Sequence, residues 1–113
     1  MLLLDDYQTA AFKTAIYPGK GSHSLGALTY CALGLGEVGE IQGKIKKIWR
    51  EDYQLLDEVR VNEIALELGD ALWYVAAMAN ELGFRLSDIA TMNLEKLAAR
   101  AAAATLKGDG DNR

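Results

Sequence analysis

Apolar residues recur at helical spacing along almost the whole of this chain, and a single proline, Pro18, interrupts them. Stretches such as IALELGDALWYV repeat their side-chain character every three or four positions, where half-exposed strands would need strict alternation. The pattern predicts an all-α fold of four helices. The first spans about residues 5–16 and ends at the Tyr17-Pro18-Gly19 punctuation. The second begins near Ser24, whose hydroxyl can cap the first free amides, and continues to about Trp49. The third covers about residues 57–82 and stops at Gly83, a suitable left-handed cap. Ser87 is expected to cap the fourth, which continues through the alanines at 101–104 until Gly108. Residues 1–107 are thus read as one domain and GDGDNR at 108–113 as a disordered tail.

A chain of 113 residues, half of them hydrophobic, has a small core and leaves much apolar surface at its boundary. A homo-oligomer, completing the core through residues such as Leu33, Leu68 and Val75, is the expected consequence. Trp49 is expected to anchor the end of the second helix. Cys31, the single cysteine, can form no intrachain disulfide and reads as a buried small hydrophobe, which favours a reducing, cytoplasmic setting. The opening MLLLDDY is too short and too acidic for a signal peptide or a membrane span. A formal net charge of −4 excludes nonspecific nucleic-acid binding, which needs a basic stripe to neutralise phosphates.

The chemistry concentrates in two acidic pairs. Glu37 and Glu40 on the second helix, and Glu67 and Asp70 on the third, stand three residues apart, so each pair lies within about 60° on its helix. If the two helices pack antiparallel the four acids converge, and Glu63, one turn before Glu67, would stand at the rim. Acids so spaced commonly form a solvated face, or pair with lysines such as Lys44, Lys46 and Lys47. Here Leu66, Leu68, Ala71, Leu72 and Val75 surround the third helix's acids and leave little circumference for water. An all-oxygen donor set suits Mg²⁺, with Mn²⁺ a possible substitute. Di-iron bundles use Glu-x-x-His pairs, and the only histidine, His23, reads as a loop residue before the second helix. Redox iron and zinc are therefore disfavoured.

Glu37-x-x-Glu40, then 26 residues, then Glu67-x-x-Asp70 resembles the signature of the MazG-type nucleoside triphosphate pyrophosphohydrolases. YQTAAFKTAIYP, LGEVGEIQGKIKK, LELGDALWYVA and NLEKLAAR look like successive blocks of small single-domain MazG-like proteins, so the resemblance covers most of the chain. It implies an all-α subunit working as a homodimer or dimer of dimers, and Mg²⁺-dependent hydrolysis of an NTP or dNTP to monophosphate and pyrophosphate. Under it, Glu37, Glu40, Glu67 and Asp70 are the metal ligands, one of them able to orient or deprotonate the attacking water. Asn93 and Lys96 match an Asn-x-x-Lys block that contacts nucleotide. Beside the resemblance, Lys44 is placed to offset phosphate charge or simply to be solvated, Tyr74 to wall a base pocket, and Trp73 to fill core. The alternative from another class is a noncatalytic helical oligomerisation or regulatory module with solvated acids.

Overall fold

The computed structural model describes residues 1–51 and 55–107 and is entirely helical there, as the periodicity predicts. Five segments follow in order: α1 (Leu4–Phe12), α2 (Leu25–Leu35), α3 (Val38–Glu51), α4 (Glu58–Leu82) and α5 (Leu86–Lys107). The expected tail at 108–113 lies outside the described residues. All the other helices pack on α4, and α1 also touches α5.

α4 begins at Asp57, whose carboxylate accepts the amide of Arg60 at 3.0 Å, and ends at Gly83 with φ 82°, as expected for a left-handed cap. Ser24 caps α2 by accepting the amide of Ala27 at 3.1 Å. The other boundaries differ from the sequence reading. α1 stops at Phe12 rather than at residue 16, because the Thr14 amide and hydroxyl both turn back onto the Ala11 carbonyl, at 3.0 and 2.7 Å. Ser87 is no cap. It sits inside α5 and gives both its amide and its hydroxyl to Asp5, at 2.8 and 2.7 Å. The preceding Leu86 amide goes to Gln8 Oε1 at 2.8 Å, so two side chains of α1 satisfy the free amides that open α5.

The second predicted helix is continuous in the sequence reading and divided in the structure. Gly36 and Glu37 bond to Leu33 and Gly34, and Gly39 and Glu40 bond to Gly36 and Glu37, each three residues back. These tightened turns form where glycines leave the helical ladder weakest. The break lets α2 and α3 both lie against α4. Its position is also fixed by contact: the Tyr74 ring of α4 packs directly on the Gly34 backbone, so a Cβ there would meet Tyr74 Cδ1 at 2.7 Å and overlap further around the ring.

The core occupies one end of the molecule. Ala15, Tyr17, Ala27, Cys31 and Ala77 are buried together, with Phe12, Trp73 and Met78 against them. Cys31 is fully enclosed, as expected. Into this apolar region α4 inserts one carboxylate, Glu81, only 3% exposed. It accepts hydrogen bonds from the Tyr17 hydroxyl, from the Gly21 amide at 2.8 Å and from the His23 amide at 2.9 Å. His23 Nδ1 lies 3.1 Å from the Glu81 carbonyl oxygen. Burial pushes the Glu81 pKa up, but these donors outweigh it and hold the carboxyl below its ordinary 4.5. Tyr17 moves the other way, raised by burial and by its bond to Glu81.

The opposite end is open. The radius of gyration is 17.6 Å, against about 13 Å for a compact chain of this length. The accessible surface is 8194 Å², against about 6,100 Å² for a folded monomer of this mass. Leu33 (76%), Leu66 (73%), Trp49 (68%) and Leu68 (56%) are exposed. Trp49, expected to anchor the end of the second helix, lies instead on the exposed side of α3.

Replacing Glu81 with Ala strands the Tyr17 hydroxyl and two loop amides, and is expected to cost about 3 kcal/mol in urea unfolding at neutral pH. Because the folded pKa is depressed, the contribution of this carboxylate is fully present above pH 4.5 and is lost as pH falls through the lower folded value. The parent should thus lose stability over that acid range more steeply than Glu81→Gln; parallel acid limbs would contradict the role given to Glu81.

Two glycines supply a matched comparison. Gly34→Ala drives a methyl into the Tyr74 ring and should destabilise by about 1–3 kcal/mol. Gly43→Ala in α3 meets nothing within 4 Å and should stabilise by up to about 1 kcal/mol. Equal melting shifts for the two variants would show that Tyr74 does not press on α2.

Candidate functional site

The antiparallel seam between α3 and α4 holds the residues that matter. Two observations set its register: Lys44 Nζ lies 3.7 Å from Glu63 Oε2, and Glu37 and Asp70 line one cleft. The first contact fixes the register within α3, and Glu37 reaches the cleft of Asp70 from the turn just before α3. That register sets Glu40 across from Glu67. It also sets Lys47 across from Arg60, and both line a second cleft with Lys44 and Glu63.

The first cleft, of about 430 Å³, is bounded by Glu37, Asp70, Thr14, Trp73 and Tyr74. Its two carboxylates are exposed and its aromatic wall is fixed. Trp73 Nε1 donates to Thr14 Oγ1 at 2.9 Å and to the Ala11 carbonyl at 3.2 Å, which locks the indole to the end of α1. Tyr74 meets the Trp73 ring edge-on, with centroids 5.1 Å apart, and rests on Gly34. Burial, followed by the negative charge of Glu37 and then the neighbouring Tyr30 and Asp70, raises the Tyr74 pKa. The phenol is protonated and able to donate at neutral pH, and it lines the same cleft as both acids. Trp73 fills core, as expected, and lines the cleft as well.

Glu37 sits at the α2–α3 break, where the tightened turn directs it independently of the α3 ladder. Glu40 is exposed, and Glu67 is half-buried. Among the described residues no three His, Cys, Asp or Glu side chains gather closely enough to hold a metal ion. What the subunit brings together is the pair Glu37, from the α2–α3 turn, and Asp70, from α4; Glu40 lies on α3 and Glu67 on α4. Mg²⁺ is ordinarily bound through one or two carboxylates together with waters and substrate phosphates, so this pair fits the donor chemistry of that ion.

The remaining sequence candidates are placed elsewhere. Lys44 is paired with Glu63, which occupies the acid first read as a fifth rim carboxylate. Both are substantially exposed, so the pair contributes little to stability. Asn93 lines a separate, largely apolar cavity with Leu4, Leu72 and Leu86, and Lys96 is exposed on α5. His23 is a loop residue as read, held at φ 57° over Glu81.

Sequence reading missed Glu81, Gln8 and Arg60, and had Lys47 only among several lysines able to pair with the acids. Glu81 had a visible signal, since it is the one charge in the apolar run AAMANELGF. The cations had another: Lys44 and Lys47 continue the spacing of Glu37 and Glu40, just as Glu63 and Arg60 continue that of Asp70 and Glu67. Gln8 carries no comparable mark.

Residues 26–104 match the family model of the MazG nucleotide pyrophosphohydrolase domain. The chain is also similar to the Gene 37 protein of Mycobacterium phage L5, at 45% identity over 112 residues, covering 97% of this chain and 98% of that protein. No solved structure gives a significant match. None of the described helices is long and apolar enough to cross a membrane. The helical subunit, the two acidic pairs brought onto facing helices and the match across most of the chain lead to one assignment: this protein belongs to the MazG nucleotide pyrophosphohydrolase family.

Proposed function

We propose that the protein hydrolyses a nucleoside triphosphate, in particular a dNTP, to the monophosphate and pyrophosphate in a Mg²⁺-dependent reaction, and so clears the cytoplasmic nucleotide pool. The observation that carries this reading is the cleft in which Glu37 and Asp70 share one space beside a fixed aromatic wall. Glu37 and Asp70 hold the ion, with Glu40 and Glu67 in support from the next turn. When bound, Mg²⁺ neutralises the repulsion between carboxylates and phosphates and stabilises charge on the phosphoryl oxygens.

The chain's own groups do the rest. A carboxylate of the Glu37–Asp70 pair orients a water and accepts its proton as the water attacks the α-phosphorus, which leaves the water oxygen in the monophosphate and expels pyrophosphate. The Tyr74 ring supplies a face for the base, and its hydroxyl a donor. Lys44 leaves its exposed partner to meet phosphate. Asn93 and Lys96 lie outside this cleft in the single subunit, so in this reading they reach the nucleotide from a neighbouring copy.

The open shape supports reading the working form as a homodimer, or a dimer of dimers. The surface in excess of a compact monomer is about 2,000 Å², more than the roughly 800 Å² each partner contributes to a standard interface. Leu33, Leu66 and Leu68 supply apolar area for it.

Incubating a panel of dNTPs with the protein and Mg²⁺ in ¹⁸O-labelled water should place the label in the monophosphate. Asp70→Asn should lower turnover by about 10²-fold or more with unchanged circular dichroism. Label in pyrophosphate would move the attack to the β-phosphorus. Silence across the panel with Mg²⁺ and with Mn²⁺ would favour a noncatalytic helical module.

A further inference from the structure

Thr14 stands in the cleft beside Glu37, Asp70, Trp73 and Tyr74, and its hydroxyl is already largely engaged. A threonine hydroxyl has one hydrogen to give and two lone pairs to offer. The hydrogen goes to the Ala11 carbonyl at 2.7 Å. One lone pair accepts from Trp73 Nε1 at 2.9 Å, a direction fixed because an indole nitrogen can only donate. A single lone pair remains, without a partner among the described residues, at the rim of the aromatic wall. Thr14 is exposed just past the end of α1, so this lone pair is open to a ligand. The other side chains of the cleft offer little to the edge of a base. Trp73 has its only donor engaged by Ala11 and Thr14, and the two carboxylates are acceptors. The Tyr74 hydroxyl lies in the plane of its own ring, whereas a base stacked on that ring lies above it.

We propose that Thr14 selects the base, and that the chain favours nucleotides whose base carries an exocyclic amine, as cytosine and adenine do, over those with a carbonyl oxygen in its place, as in uracil and hypoxanthine. The proposal rests on the hydrolase reading above and adds to it the class of base. With the base against Tyr74, an amino hydrogen meets the open lone pair of Thr14 and disturbs neither of its existing bonds. A carbonyl oxygen in the same place sets lone pair against lone pair. To meet it, Thr14 must turn its hydrogen away from Ala11 and lose the 2.7 Å bond. Reach is not an obstacle, since Thr14 lines the same cleft of about 430 Å³ as Glu37 and Asp70, and that volume lies in the range of small-molecule sites. Cytosine and uracil have nearly the same outline, so hydrogen-bond direction rather than size decides between them. Because Thr14 is exposed, water relieves part of the mismatch, and the discrimination is about tenfold, far below that of a buried polar site.

The test is kcat/KM with Mg²⁺ for two matched pairs, dCTP with dUTP and dATP with dITP, in the parent, Thr14→Val and Thr14→Ser, together with calorimetric titration of dCMP and dUMP into the same three proteins. In every pair that is turned over, the parent should favour the amino member by about tenfold or more. Thr14→Val removes the lone pair and should bring the ratio within about twofold of unity, whereas Thr14→Ser keeps the hydroxyl and should keep the preference. Thr14→Val also takes an acceptor from Trp73, but a loosened wall lowers both members of a pair alike and leaves their ratio unchanged. Circular dichroism checks that both variants fold. Equal values for the two members of any pair turned over by the parent, or a preference for the carbonyl member, overturns the proposal while the hydrolase reading stands. A preference that survives in Thr14→Val overturns the role given to Thr14. A parent that hydrolyses nothing, yet binds dCMP over dUMP and loses that preference in Thr14→Val, supports the base selection and removes the hydrolase reading; one that neither hydrolyses nor binds overturns both.

Discussion

Glu81 is the constraint on which the rest of the subunit hangs. A carboxylate in an apolar core is tolerable only when its lone pairs are filled, and here they are filled by the segment joining α1 to α2. That segment has no regular secondary structure of its own and carries Gly19, Gly21 and His23 at positive φ. The glycines take those conformations freely, whereas that of His23 costs free energy, which the convergence of donors on one anion offsets. Tyr17, placed by its bond to Glu81, meets the edge of Trp73 at 6.4 Å and stacks on Tyr30 at 5.6 Å. Trp73 ties the end of α1 to α4 beside the cleft. The aromatic wall of the candidate site is in this way held from behind by a buried charge that takes no part in the chemistry.

Rigidity and openness are divided along α4. Its C-terminal half carries the buried Ala76, Ala77, Ala79 and Glu81; its N-terminal half meets α3 through Glu63 and exposes Val59, Val61, Leu66 and Leu68. The carboxylates stand where the two halves meet. A site at such a junction has one wall preorganised by the core and another on a helix with few partners inside the subunit. Ligand or a second copy then has something left to order, and so the free energy of either can be coupled to the other.

The same division explains why four carboxylates on facing helices do not close into a cluster. Without a counter-ion they repel, and exposure lets them separate into water. The tightened turn at Gly36–Glu37 gives Glu37 freedom from α3, while Glu40 stays on the α3 ladder. Under the proposed function, Glu37 and Asp70 would hold the ion, and their exposure would suit one that gives up its waters reluctantly.

Local rules were enough for much of this protein. Apolar periodicity predicted the helices, Ser24, Asp57 and Gly83 mark boundaries that the structure keeps, and the repeated three-residue step singled out the acids before any packing was known. These features depend on neighbours within one turn of chain, so sequence alone determines them. Tertiary structure decided the rest. Whether position 34 can carry a side chain depends on Tyr74, forty residues away, packing on its backbone. Whether Ser87 caps α5 depends on Asp5 reaching it across 82 positions. Whether Lys47 is a solvated lysine or half of a facing cation pair depends on the register of two helices, which Lys44, Glu63 and the shared cleft set in space. Contacts between distant residues are chosen by packing and charge together, and a one-dimensional pattern records the residues available for them without recording which will meet.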